Sequence, residues 1–390
     1  MANTLTGLIQ TVYQALYRVS RERVGFIPAV TKNSSAERVA KDQTIRIPIA
    51  PVATNEGANT PGVTPPDTGD QTISYADMTI SKSYHIPIRF NGEELRGLGV
   101  SGNKDDIVQQ RFAQGFRRLC NLIETDLGTS YKGASRAVGT AGTTPFNTAG
   151  TVTDFANVMQ ILDDNGAPPD GLKLVLDNAA IANLRGKQQI FAKANEADTT
   201  EMLRDGKLAR AYGFDIHQSG QVSLVTKGTA SSATLTSTDY AVGATTLTLA
   251  SAGTGAFNDG DMVNIAGENN GIWYGLSTGD ADVSNAGTIV LNAPGLRIAQ
   301  TTNTSAVTVP SANWRANLAF HPSAIQLITR APAMPDGGDM ATDSFMVSDP
   351  VSGLVFEVRE YKQFHQTTFH INIAWGWKVV NPEHVAVLFG

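Results

Sequence analysis

The residues that could do chemistry are few and poorly spaced for it. His365 and His370 stand five apart in a strand-like run, so their side chains would point to opposite faces and could not easily share a metal. Two carboxylate pairs occur, Asp163 with Asp164 and Asp259 with Asp261. The first closes a helical stretch ahead of Gly166, and the second lies in the turn NDGD, where aspartate stabilises the backbone through its own side chain. Neither brings the further oxygen ligands of a calcium loop. There is no GxxxxGK[ST] cradle for phosphate and no GxSxG elbow, and the run GTGAFN from Gly253 leaves a dinucleotide fingerprint unfinished. Cys120 is the single cysteine, which excludes an intrachain disulfide; beside Phe116 and Leu119 it reads as a buried thiol. The pattern predicts no catalytic group, no cofactor and no metal.

One cationic cluster is left over. Arg111, Arg117 and Arg118 lie off the apolar side of their segment, either as a solvated face or as a surface for a neighbouring subunit or enclosed nucleic acid. A net charge of −6 over 390 residues argues against wrapping nucleic acid on a broad basic face, though not against enclosing it at a distance. With no run of about twenty apolar residues, no membrane span is expected. The N-terminus lacks the pattern of a secretory leader, its arginines coming late at Arg18, Arg21 and Arg23.

The segment that carries the arginines is also the longest that can be only one kind of element. From Asp105 to Tyr131, Val108, Phe112, Phe116, Leu119, Ile123 and Leu127 recur at steps of three or four, which predicts a helix with one apolar stripe. Asn103 is placed to cap it and Gly128 and Gly133 to stop it. A rod of roughly 40 Å, apolar on one side, needs a broad surface to lie on. The closing strand supplies one: Phe369, Ile371, Ile373, Trp375, Trp377 and Val379 alternate without a break, and Val385 to Phe389 ends the chain.

Ahead of the helix, residues 4–24 set Leu5, Leu8, Ile9, Val12, Leu16 and Val19 on one helical face, an amphipathic arm that packs on its own core or on a partner. Ile45, Ile47 and Ile49 then alternate as a strand with Pro48 confining it to an edge. A second alternating run follows, Ile73 and Tyr75 on one parity and Met78, Ile80, Tyr84, Ile86, Ile88 and Phe90 on the other, which predicts a bulge near Ala76 and Asp77. The proline-rich stretch between the two strands exceeds what a compact domain carries, so the pair reads as an extended arm buried by another subunit. Its candidate contacts are Arg46, Tyr75, Met78, Lys82 and Tyr84, together with Leu5, Leu8, Val12, Leu16 and Arg21 of the N-terminal arm.

After the helix the chain reads as mixed helix and strand. Thr151 with Asp154 resembles a capping box for a helix through Phe155, Val158, Met159 and Leu162; Leu172 to Leu176 is a strand; Asp177 caps the helix AAIANLR; a helix fits Thr200 to Arg210; and Phe214 to His217 is a strand. Between Lys227 and Trp314 helical periodicity disappears in favour of short β-prone runs. NLAFHPSAIQLITR, Asn317 to Arg330, repeats the plan of KLVLDNAAIANLR, Lys173 to Arg185, which predicts two strand-helix units of one domain interrupted by an all-β module.

In order and kind these elements resemble the major capsid proteins of tailed bacteriophages, the Hong Kong ninety-seven fold, and within it the P-twenty-two-like coat proteins. The resemblance is carried by LTGLIQTVYQALYRVSRERVGFIPAV at the start, TLTLASAGTGAFNDGDMVNIAG in the β module and NIAWGWKVVNPEHVAVLFG at the close. It implies an α+β fold divided into an N-terminal helical arm (1–40), an extended hairpin or E-loop (41–90), a peripheral domain with the spine helix (91–133 and 344–390), an axial domain (134–221 and 313–343) and an inserted barrel-like β-domain (222–312). It also implies self-assembly into hexamers and pentamers of an icosahedral head, a scaffolding protein during assembly, a portal protein, enclosed double-stranded DNA bound without sequence specificity, a decoration protein, and a virion location after assembly in the bacterial cytoplasm. The arm's Arg18, Arg21 and Arg23 against a lone Glu22 depart from an acidic scaffold-binding arm. The encapsulin compartments share the fold but lack such a module. A carbohydrate-binding or adhesive reading of the β region would require an aromatic platform from Trp273, Tyr274 and Tyr240.

Overall fold

The computed structural model describes residues 23–49, 61–63, 73–100, 104–187, 210–236, 238–268, 271–301, 305–349 and 352–390. The N-terminal arm with Leu5, Leu8, Val12, Leu16 and Arg21, the helix expected over Thr200 to Arg210 apart from Arg210 itself, and the cap Asn103 lie outside these residues. In chain order come helix α1 (Phe26–Ala29), strands β1 (Thr31–Val39), β2 (Thr44–Ile49), β3 (Ser74–Thr79) and β4 (Lys82–Asn91), and helices α2 (Gly92–Val100) and α3 (Lys104–Gly128). The middle of the chain holds β5 (Arg136–Val138), α4 (Thr153–Asp164), β6 (Lys173–Leu176), α5 (Asn178–Gly186), β7 (Arg210–Ala211), β8 (Phe214–Gln218) and β9 (Leu224–Val225). Then follow β10 (Ala233–Thr234), β11 (Thr246–Thr248), β12 (Met262–Ile265), β13 (Trp273–Thr278), β14 (Thr288–Leu291) and β15 (Ala306–Thr308). The chain closes with β16 (Trp314–Phe320), β17 (Ile325–Pro332), β18 (Asp343–Ser348), β19 (Val355–Gln363), β20 (Gln366–Val379) and β21 (Val385–Phe389).

The long helix forms where its periodicity places it and runs on into a 3-10 turn, Thr129–Gly133. Its stripe of Phe112, Phe116, Leu119, Ile123 and Leu127 is fully buried on a sheet ordered β1-β17-β20-β19-β18, with β4 on the far side of β20. Aromatic edges fix the seat, Phe112 against Phe369 at 5.4 Å and Phe116 against Phe356 at 5.1 Å between ring centroids. Gly115 lets the helix come close, since a Cβ there would stand 2.7 Å from Ile371 Cδ1.

A second sheet runs β10-β15-β12-β13-β5-β21-β16-β6-β8-β7, with α4 and α5 packed on its β21, β16 and β6 region. Asp177 caps α5 as expected, accepting from Ala180 N–H at 2.8 Å. Asp154 does not make the capping box: Val152 precedes α4, and Asp154 Oδ2 accepts from Phe146 N–H at 2.6 Å. The β module has a core of its own, yet Trp273 and Tyr274 pair with Ala137 and Arg136 of β5, so its strands are hydrogen-bonded into the body.

Several expectations give way. The segment expected to repeat the strand-helix plan is strand, one 3-10 turn, then strand: His321 caps and Pro322 opens Pro322–Ala324, but Ile325 begins β17. Ile325 and Ile328 mimic a helical step of three. They point instead to opposite faces of a strand covered on both sides, Ile325 among the residues under α3 and Ile328 beneath the hairpin. No bulge occurs at Ala76 and Asp77, where the β2–β3 register is continuous; Ala76, Met78 and Ile80 share one inward parity, and Ile73 and Tyr75 simply face out. Strand pairing also moves segments across the expected domain boundaries. β1 and β17 join the sheet under α3, β4 belongs to that body rather than to the hairpin, and β21 pairs with β16 and β5.

The hairpin β2–β3 is a separate two-stranded sheet laid across the face of β20 opposite α3. Gly376 makes room for it: a Cβ at this position would stand 2.2 Å from Thr79 O. Gly376→Ala is therefore expected to push the hairpin off β20 and lower stability by about 1–3 kcal/mol, read as the denaturant midpoint, with the slope unchanged. An unaltered midpoint would mean the hairpin does not lie there.

Candidate assembly surfaces

The hairpin has two unlike faces because β2 and β3 pair in register. Ile45 with Met78 and Ile47 with Ala76 look inward, and Arg46 with Asp77 and Pro48 with Tyr75 look outward. Met78, taken from the sequence as an inter-subunit contact, is 1% exposed and sits with Val39, Ile80, Ile328 and Ala374 in the chain's own core. That assignment is corrected by its parity. The outer face is free: Tyr75 is 58% and Ile73 53% exposed, with Arg46 bridging Asp77 at 3.1 Å and its guanidinium 5.9 Å from the Tyr75 ring centre. Two apolar side chains in the open on a two-stranded ribbon, a unit marginal by itself, mark a face that wants a cover.

Lys82 and Tyr84 serve the chain itself first. Lys82 Nζ pairs with Asp126 Oδ1 at 2.6 Å, Asp126 Oδ2 accepts from Trp375 Nε1 at 2.8 Å, and the Tyr84 ring lies 5.4 Å from that of Trp375. These contacts fasten β4 to α3 and β20 while leaving Tyr84 half exposed.

Sequence reasoning missed Glu124. It lies 1% exposed on α3, and both its oxygens accept from Phe26 N–H, at 2.9 and 3.0 Å. Gly25 and Ile27 N–H also face it. One carboxyl thus gathers the free N–H groups at the start of α1 and ties that helix to α3. The available signal was its spacing, four residues beyond the buried Cys120, which puts an acid on the apolar stripe.

A groove of about 730 Å³ opens between β4 and α3. Ile86, Ile88, Ala113 and Gly115 form its floor; Arg89, Arg111 and Arg118 stand along its rim, all exposed, with no Asp or Glu in the lining. Arg111 Nη1 donates to Arg89 O at 3.2 Å, and its guanidinium lies 5.4 Å from the Phe90 ring centre. None of the three forms an ion pair among the described residues.

The groups first considered for chemistry have structural partners. Asp259 and Asp261 hold turn N–H groups of Gly279 and Asn258 at 2.8 and 2.7 Å, and Asp164 meets Arg297 at 3.6 Å. His365 sits in the β19–β20 turn at φ 53°, while His370 stacks on His85 at 4.9 Å; burial, then that neighbour, pulls the His370 pKa down. Among the described residues no group of three or more His, Cys, Asp or Glu could hold a metal ion, and no helix is long and apolar enough to cross a membrane. Tyr274 and Tyr240 are buried in the β module and Trp273 packs on Phe389 at 5.8 Å, so the three aromatics make no exposed platform.

No protein-family model and no curated protein matches the sequence. Among solved structures the chain is similar to the capsid of the cyanophage P-SCSP1u, with 12% identity, 95% of this chain and 88% of that one covered and a TM-score of 0.49. It is similar to a structure from Mycobacterium phage Che8, with 13% identity, coverage of 90% and 85% and a TM-score of 0.40. A virus-like particle from Pyrococcus furiosus has 9% identity, coverage of 97% and 96% and a TM-score of 0.38.

Burial drives the Glu124 pKa up from 4.5 to about 8, against the pull of the three N–H groups. The folded chain therefore holds a proton that the unfolded chain has released between those two values. Stability from this group is complete below the lower value and is lost as pH rises through about 8. The expected outcome is a melting temperature that falls from pH 5 to 9 in the parent and less steeply in Glu124→Gln, the difference bounded by roughly 5 kcal/mol. Parallel profiles would place the ionisation elsewhere.

Proposed function

We propose that this chain is the major capsid protein of a tailed bacteriophage, a structural subunit whose copies close as hexamers and pentamers into an icosahedral shell around double-stranded DNA. The observation that carries the reading is the β2–β3 hairpin. It rests on the body by its inner face and holds Ile73 and Tyr75 outward, side by side on a two-stranded ribbon. A second copy is the simplest cover for such a face. Its proline-rich tip is long enough, at roughly 40 Å for half of its span, to reach one.

In this reading α3 and the sheet beneath it are the rigid peripheral body, the second sheet with α4 and α5 is the axial body, and the strands from β10 to β15 are the inserted module that braces it. Each contact between copies can be modest, because a subunit held by several neighbours gains from their simultaneous engagement. A net charge of −6 suits a wall that contains DNA without gripping it. A scaffolding protein, a portal, a decoration protein and assembly in the host cytoplasm belong to the same proposal, through the sequence resemblance. The burial of Tyr240 and Tyr274 speaks against the carbohydrate-binding alternative.

Expression of the chain with and without a candidate scaffold, followed by electron microscopy, tests this. Uniform closed shells are expected in at least one condition, and a stable monomer in every condition would overturn the reading.

A further inference from the structure

We infer that Arg359 and Tyr361 form a carboxylate-binding site which Asp339 of the same chain fills as a place-holder, and that an external carboxylate exchanges with it. The inference stands apart from the shell reading, since the site is complete within one subunit.

β19 carries Glu357, Arg359 and Tyr361 at steps of two, so all three side chains leave one face of the strand. Glu357 pairs with Asn372 and Arg359 with His370, which puts them on the face of β20 that holds Ala374 and the hairpin. The Arg359 side chain is 6% exposed and that of Glu357 1%. A cation this deep must be answered by charge. Glu357 Oε1 lies 3.0 Å from Arg359 Nε and 2.5 Å from Arg38 Nη2, so it is shared between the two guanidiniums. The second anion is Asp339, from the connection between β17 and β18. Its Oδ2 accepts from Arg359 Nη1 and from the Tyr361 hydroxyl, the latter at 2.7 Å. The Tyr361 hydroxyl, with Ala341 N–H and Arg359, holds the Asp339 carboxyl below the usual range against the effect of burial, so it stays ionised.

The fit is half made. A guanidinium fork takes a carboxylate best through two parallel bonds, but Asp339 gives it one oxygen and turns Oδ1 to Ala341 N–H at 3.0 Å. Arg359 Nη2 is left buried with no hydrogen-bond partner among the described residues. Beside it lies a cavity of about 190 Å³ that Arg359 and Glu357 line with Ser83, His85 and Asn372. The place-holder can be withdrawn. Gly337 and Gly338, just ahead of Asp339, sit at φ 92° and 85° with open space around them, and Met340 just after it is 91% exposed. A carboxylate with both oxygens free would meet Nη1, Nη2 and the Tyr361 hydroxyl together. Charge selects the class of ligand: with Asp339 withdrawn, Arg38 and Arg359 exceed Glu357 by a single charge, which a monoanion balances. A phosphate dianion would overfill the site beside Glu357 Oε2, itself buried without a partner.

Chemical rescue in the full chain tests the site. Asp339→Ala should melt below the parent in sodium chloride, and replacing chloride by acetate at fixed pH and ionic strength should restore at least half of the loss. Phosphate should restore less. Asp339→Asn, which keeps an oxygen for Tyr361, carries the same titration if Asp339→Ala does not fold. Adding Arg359→Lys to either variant keeps the charge, removes the fork and should abolish the rescue. In the parent, hydrogen exchange at Ala341 should quicken as Asp339 is displaced. Quickening by acetate in dilute subunits assigns the site to free carboxylates, and quickening only with protein concentration assigns it to an Asp or Glu of a second copy. No rescue in either variant, rescue that survives Arg359→Lys, or equal rescue by phosphate would overturn the site; unchanged exchange at Ala341 under both conditions would overturn the displacement.

Discussion

Phe112 and Phe116 press edge-on into Phe369 and Phe356, and Leu119, Ile123 and Leu127 continue the contact along α3. Removing any of these rings would be expected to cost about 3–5 kcal/mol, because the site is too tightly packed to collapse around the gap. The arrangement does more than bury area. One face of β20 carries the helix and the other the hairpin. The hairpin is referenced to that layer through Gly376 and the groove through Gly115 and Ile88, while Glu124 ties the start of α1 to it.

The periodic parts of this layer were legible. A stripe at steps of three and four gave α3, and uninterrupted alternation gave β20, because each has one dominant face. Elements covered on both faces, or held by neighbours, were not. β17, IQLITRAP, is covered on both sides and mixes Gln326, Thr329 and Arg330 with its apolar residues, so it shows no clean period, while β1, TKNSSAERV, has no apolar pattern at all. It is held in place by parallel pairing to β17 and by Arg330, whose guanidinium donates to Asn33 O and Oδ1 at 2.7 and 2.9 Å. The parity slip at Ala76 was inferred by supposing that every apolar residue points inward. Ile73 and Tyr75 do not, and the error itself marks the exposed face.

The candidate contacts on the hairpin were drawn from both of its faces, because the sequence alone did not separate them. Arg46 and Tyr75 face out, Met78 faces in, and Lys82 and Tyr84 are shared with Asp126 and Trp375. The arginines of α3 were visible as a cluster; what could not be seen is that Arg89 joins two of them across a groove, since the register of β4 against β20 sets that meeting. Glu124 was likewise invisible as an anchor, its partners being backbone N–H groups 98 residues away.

The central claim is that the outer hairpin face is completed by another copy. Hydrogen exchange at residues 44–49 and 73–79, compared between unassembled subunits and closed particles, tests it most directly. The account predicts fast exchange in the free subunit and protection rising by at least tenfold on closure, greatest around Tyr75. Equal exchange in the two states would contradict it.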